Sequence, residues 1–167
     1  AVFDFEGDGV AEVVYADEYT LWVYSGVDGT VKLQETNHTS WTWIEYATIA
    51  DVDGDDQAEI VLPNGSIGGS SSGAIYGVAV IGDADGSWMP ARKIWNQHAY
   101  SITNVNDDGT IPATADLNWK TYNSFRSGDL REASGTDSVD GQVELADVCE
   151  LQCDDGLLRV WVHPGNE

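Results

Sequence analysis

The stretch DFEGDGVAE at residues 4–12 returns as DVDGDDQAE at residues 51–59. An offset of 47 places Asp4 on Asp51, Glu6 on Asp53, Asp8 on Asp55 and Glu12 on Glu59. A chain that repeats an acidic loop in this way is built from structural units of about that length. Further along, Val23-Tyr24 to Asp28-Gly29 aligns with Val80-Ile81 to Asp85-Gly86 at an offset of 57. The second copy therefore carries ten extra residues, which the flexible composition of SIGGSSSG assigns to an insert.

Each unit reads as a short strand, an acidic turn, a strand rich in β-branched residues, a second strand with aromatics, and a Gly turn into another strand. Units of about four strands at this spacing are what β-propeller blades look like. The expected fold class is all-β: tandem blades of a partial or assembled β-propeller, followed by a C-terminal β-sandwich-like segment. Helical periodicity is weak, and its one candidate is ARKIWNQHAY at 91–100, where Pro90 suits a helix start but a loop fits equally. The composition divides the chain into a repeat region at 1–130, a linker at 131–142 and the start of a second β domain at 143–167. The chain opens without Met on what reads as a strand already under way, as expected of a piece of a longer protein.

A nine-residue loop with oxygen donors at its first, third, fifth and ninth positions wraps side chains around one point. Asp4, Glu6, Asp8 and Glu12, with the carbonyl of Val10, make one such set; Asp51, Asp53, Asp55 and Glu59, with the carbonyl of Gln57, make the other. All donors are oxygen, which selects a hard cation, and calcium accepts six to eight oxygens with flexible geometry. Neither loop holds His or Cys, as zinc or copper would require. Without a cation, carboxylates about 5 Å apart repel by on the order of 3 to 4 kcal/mol per pair at an effective dielectric of 20. The alternative, two solvated acidic turns, leaves the repeat unexplained. Two structural calcium sites are expected. NVNDDGTIP at 104–112 offers a candidate third through Asn104, Asn106, Asp108 and Thr110, although Pro112 stands where an acid is needed and an Asx-rich turn reads as well.

These loops resemble the calcium-binding turns of the FG-GAP/VCBS repeats, the integrin-type β-propeller blades, whose pattern is D-x-[DN]-x-D-G-x-x-[DE]. The resemblance runs through about residue 100 and implies calcium held between the first two strands of a blade, in secreted or surface proteins that bind partners. Two positions depart from the pattern. Glu6 stands for Asp or Asn, and Asp56 stands for Gly, which asks Asp56 to adopt a left-handed backbone. From Val143 on, the sequence resembles the opening of the Ig-like CARDB adhesion domains.

The formal charge of −22, from 29 acidic and 7 basic residues, excludes nucleic acid and anionic membrane surfaces as partners across most of the molecule. No run approaches the roughly 18 apolar residues of a membrane-spanning helix. Cys149 and Cys153 are separated by a spacing suited to a local disulfide across a tight turn, favoured over free or buried thiols; a bridge implies an oxidising compartment. Of seven tryptophans, most read as core, and Trp41 and Trp43 are the candidates for a sugar-stacking face. No nucleophile elbow, phosphate loop or zinc motif is present. The expected protein is a non-enzymatic, extracellular or cell-surface, calcium-stabilised adhesion module, with a protein or glycan ligand and a homo-oligomer or fibre as its assembled form. The rival is a carbohydrate-binding or accessory propeller of a secreted polysaccharide-active enzyme.

Overall fold

The computed structural model describes residues 1–41, 45–67, 72–122, 124 and 126–130. The chain divides into two units, Ala1–Ser134 and Gly135–Glu167, and every described residue lies in the first. Cys149, Cys153, the linker and the start of the second β domain lie outside the described residues, as does Trp43.

The first repeat copy is a four-stranded antiparallel meander of β1 (Val2–Phe3), β2 (Glu12–Ala16), β3 (Leu21–Tyr24) and β4 (Val31–Glu35), hydrogen-bonded in that order. Alternation sorts its side chains. Val14 on β2, paired with Val23 on β3, is buried, as is Leu21, paired with Ala16; Val13 and Tyr15 on the opposite face stay exposed. The β3–β4 turn follows from Asp28-Gly29: Gly29 takes a positive φ of 73°, and Asp28 accepts hydrogen bonds from both the backbone N–H and the hydroxyl of Thr30.

The second copy forms β5 (Thr48–Ala50), β6 (Glu59–Asn64) and β7 (Gly77–Ile81), again antiparallel and in sequence order. The segment between β6 and β7 is longer than the one between β2 and β3, where the sequence places the insert. At offset 57, Leu21 and Val23 align with Val78 and Val80, and at offset 47 Val13 and Tyr15 align with Ile60 and Leu62. Their burial is inverted: Leu21 and Val23 are buried while Val78 and Val80 are exposed, and Val13 and Tyr15 are exposed while Ile60 and Leu62 are buried. One core joins the two sheets, built from Phe3, Phe5, Val14, Leu21 and Val23 of the first copy and Ile49, Ile60 and Leu62 of the second. One face of the first blade thus packs on the opposite face of the second.

The expected fourth strand of the second copy is absent among the described residues, and residues 91–100 form no helix. After the Asp85-Gly86 turn the chain becomes a strap. Trp88 packs on Phe5 with ring centroids 4.5 Å apart, the Met89 N–H donates to the Phe5 carbonyl at 2.8 Å, and the Arg92 carbonyl accepts from Asp51 N–H. Pro90 has no N–H to give a strand ladder, and its neighbours bond to the two acidic loops instead. Arg92 is buried; its guanidinium donates to the carbonyls of Ile102 and Val105 and to Asp107, which fixes the irregular 102–107 segment on the strap. The one described helix, α1 (Asn118–Thr121), is four residues long.

Candidate metal centres

Each acidic loop connects the first two strands of its sheet, and the same hydrogen bonds shape both. Asp4 is buried; its Oδ1 accepts from Gly7 N–H (2.7 Å) and Asp8 N–H (3.1 Å), and its Oδ2 from Gly9 N–H (2.7 Å). Asp51, also buried, accepts from Gly54 N–H at 2.6 Å and Asp56 N–H at 3.0 Å. A carboxylate at the start of the loop thereby gathers the amides of the turn around itself. The closing glutamates match as well: Glu12 accepts from Phe5 N–H at 3.1 Å and Glu59 from Val52 N–H at 2.8 Å, each seven residues back.

The turn itself needs two left-handed residues. Gly7 and Gly9 supply them in the first loop with φ of 73° and 92°; Gly54 and Asp56 supply them in the second with φ of 86° and 68°. Asp56 therefore adopts the backbone that its place in the pattern demands.

These constraints bring Asp4, Glu6 and Glu12 together, with one oxygen of each within 4.8 Å of the others, and Asp51, Asp53 and Glu59 likewise. Either triad can hold a metal ion, and the all-carboxylate donor set fits a hard cation. Asp8 and Asp55 stand at the exposed outer side of each loop, where they accept from Val10 N–H and Gln57 N–H. The Asn104–Thr110 segment folds on itself: Asn104 bonds Gln97 and the backbone at Ala99 and Ser101, Asn106 donates to the Thr110 hydroxyl, and Asp108 accepts from both the N–H and the hydroxyl of Thr110.

Two lysines missed by the sequence reading complete the electrostatics. Lys32 on β4 reaches across the sheet, its Nζ 2.8 Å from Glu6 Oε1 and 2.8 Å from Glu12 Oε1. Lys93 on the strap lies 3.3 Å from Asp51 and 3.1 Å from Asp56. Burial pushes the carboxyl of Glu12 above its ordinary range, with the Lys32 bond opposing only part of that shift. Burial acts upward on Glu6 too, but there the Lys32 hydrogen bond prevails and the carboxyl is held low. Glu59 is raised by burial and by the neighbouring Asp53, Asp55 and Asp51 carboxylates. Asp51 is lowered, because the backbone bond from Gly54 and the Lys93 ammonium outweigh its burial. Hydrogen bonds to Glu12 and then Glu6 hold the Lys32 ammonium far above its usual range. The signal for these lysines was their rarity: a chain with seven basic residues aims two at its acidic loops.

A repeated carboxylate triad between the first two strands of successive β units is the arrangement on which the comparison with known families turns. Residues 4–62 match the FG-GAP-like repeat family model. The FG-GAP-like match begins at Asp4, takes in both acidic loops and ends at Leu62 on β6. Among solved structures, the chain is similar to the V. cholerae biofilm matrix protein Bap1, with 31% sequence identity and a TM-score of 0.68. The similarity covers 79% of this chain and 22% of that one, so the chain spans about a fifth of that protein's length. No curated protein matches the chain. No helix among the described residues is long and apolar enough to cross a membrane.

Proposed function

We propose that the chain is a structural and adhesive module of an extracellular matrix, non-enzymatic, whose FG-GAP-like loops take calcium as a structural cation. The observation that carries this reading is the paired triad: two buried aspartates and two buried glutamates, converging at equivalent places on successive sheets. The likeness to a biofilm matrix protein supports the setting. Asp4, Glu6 and Glu12 would hold one ion and Asp51, Asp53 and Glu59 another, with Asp8, Asp55 and the carbonyls of Val10 and Gln57 as further oxygen donors. Calcium supplies the positive charge that turns carboxylate repulsion into chelation and locks each β1–β2 or β5–β6 connection. The inverted burial of the two sheets supports assembly as well, because Val13 and Tyr15 on one side and Val78 and Val80 on the other offer faces of the kind that mate in the core.

Thermal melting in calcium and in excess chelator tests the reading. An ion present at one hundred times its dissociation constant adds about 2.7 kcal/mol per site, and each kcal/mol is worth about 2 to 4 °C in a domain of this size. Chelation should lower Tm by about 10 °C or more, reversed by calcium and only weakly by magnesium. An unchanged Tm would remove calcium from the proposal.

A further inference from the structure

The core between the two sheets pairs two kinds of blade face, and the same two kinds recur uncovered on the outside. On the first sheet Val2 pairs with Val13 across β1–β2, and Tyr15 with Trp22 across β2–β3. Their equivalents in the second copy, Ile49, Ile60, Leu62 and Ala79, all lie in or against the core. On the second sheet Val61 pairs with Val80, and Val78 stands on the same face. With Val52, these are the equivalents of the buried Val14, Val23, Leu21 and Phe5. Val2, Val13, Tyr15, Val52, Val78 and Val80 leave between 42% and 65% of their surface exposed, whereas the residues equivalent to them are at most 3% exposed. We propose that these two faces are an interaction surface for a second copy of the chain, with the Tyr15 face of one copy packed on the Val78 face of the other. The proposal deepens the matrix reading above by naming the partner, and it does not require the acidic loops to be filled.

Size decides the partner. Relative to the faces that mate in the core, the exposed face of the first sheet is enlarged: Tyr15 stands for Leu62, Trp22 for Ala79 and Tyr24 for Ile81. The exposed face of the second sheet is reduced, with Val52 in place of Phe5 and Val78 in place of Leu21. Close packing holds the summed volume across an interface nearly constant, so a face enlarged by three aromatics needs a partner reduced to match. The chain carries that partner itself. Trp22 and Tyr24 stack with ring centroids 5.9 Å apart, and the Trp22 Nε1–H donates to the Asp17 carboxylate, so the aromatic surface is fixed in advance of docking.

None of the exposed residues named on either face is charged, on a chain whose formal charge is −22. Apolar residues gathered on a sheet face in so acidic a chain mark a surface that another apolar surface covers. The charge also sets the salt response. Two copies repel at a distance, and added salt screens that repulsion without weakening apolar contact. A partner recognised through its charge would behave in the opposite way. Pairing of like faces is disfavoured by size, since it sets Tyr15 and Trp22 against their own copies and leaves Val78 against Val78.

The experiment is sedimentation velocity of the chain over a concentration series, in calcium and in chelator. The parent chain should form dimers and larger species as its concentration rises, more strongly as salt is added. Val13→Asp and Val80→Asp each place a charge on one face; each alone should stay monomeric, with association weakened on the order of a hundredfold. Mixed in equal amounts, the two variants should form a dimer and nothing larger, because each brings the face that the other lacks. Val13→Thr and Val80→Thr, close in shape to the parent, should weaken association several-fold and carry the test if a charge disturbs the fold, which Tm in dilute solution reports. A parent chain that stays monomeric, a dimer formed by either Asp variant alone, a mixture that fails to associate although both variants keep the parent Tm, or association that weakens with salt would each overturn the proposal. Association with no calcium effect on Tm would sink the structural-calcium reading and leave this one standing; a calcium-stabilised chain that never associates would do the opposite.

Discussion

The two repeat copies reach the same carboxylate geometry from different surroundings. In the first, a complete four-stranded sheet supplies the counter-charge from its own outer strand, where Lys32 bridges Glu6 and Glu12. The second sheet has three described strands, and its lysine arrives from the strap beyond Pro90, meeting Asp51 and the outlying Asp56 instead of two members of the triad. The loop is thus specified by its own residues, by an aspartate that collects turn amides and a glutamate that reaches seven residues back. The neighbouring strand tunes it. A loop with that independence takes the same shape beside three described strands as beside four.

The sharpest way to break the equivalence is to remove the first aspartate of each loop. Asp4 gathers three amides and Asp51 two, and each buried bond to a charged acceptor contributes about 1 to 3 kcal/mol. Asp4→Ala should cost about 3 kcal/mol or more in chelator and Asp51→Ala about 2 kcal/mol, read by urea denaturation. Equal costs would mean that the amide count does not govern the loops.

The lysines probe the difference rather than the likeness. If Lys32 stands in for the cation, Lys32→Met should destabilise the chelated protein and tighten calcium at the first loop by about tenfold, the equivalent of about 1.4 kcal/mol. Lys93 is more exposed and touches one triad carboxylate, so Lys93→Met should tighten the second loop by about threefold or less. Calorimetric titration of the two variants separates the sites; weaker calcium binding in Lys32→Met would show that the ammonium supports the site instead of competing for it.

The smallest effect concerns the turn. Asp56→Gly removes a side chain from a residue with φ of 68°, and glycine enters that conformation without steric cost. The expected gain is about 0.5 to 1 kcal/mol, reduced by the loss of the surface pair with Lys93. A loss of stability would mean that the ion pair outweighs the backbone strain.

Much of this comparison is legible in the sequence. The offset of Asp4 to Asp51 marked the repeat, the D-G pair at Asp28-Gly29 marked the β3–β4 turn, and the mismatch at Asp56 located the left-handed residue. What escaped depends on contacts distant in sequence. Residues 91–100 hold Arg92, Trp95 and Tyr100 at spacings a helix would also use, but Arg92 is bound to carbonyls ten and thirteen residues away and its backbone to Gly128. The continuation of the second copy to a fourth strand failed at Pro90 for the same reason, since the partners of Met89 and Arg92 lie in the loops. Lys32 lies twenty residues from Glu12 and twenty-six from Glu6, so only the folded sheet joins them.

The inverted burial of the two sheets gives the molecule a direction. Its exposed sides are unlike surfaces, one led by Tyr15 and the other by Val78, so two copies related by a two-fold axis would bring like against like and forgo the fit found in the core. In the proposed assembly, addition of blades would be vectorial, as in a filament with distinct ends. A charge placed at Tyr15 would then cap one end only, and its counterpart at Val78 the other.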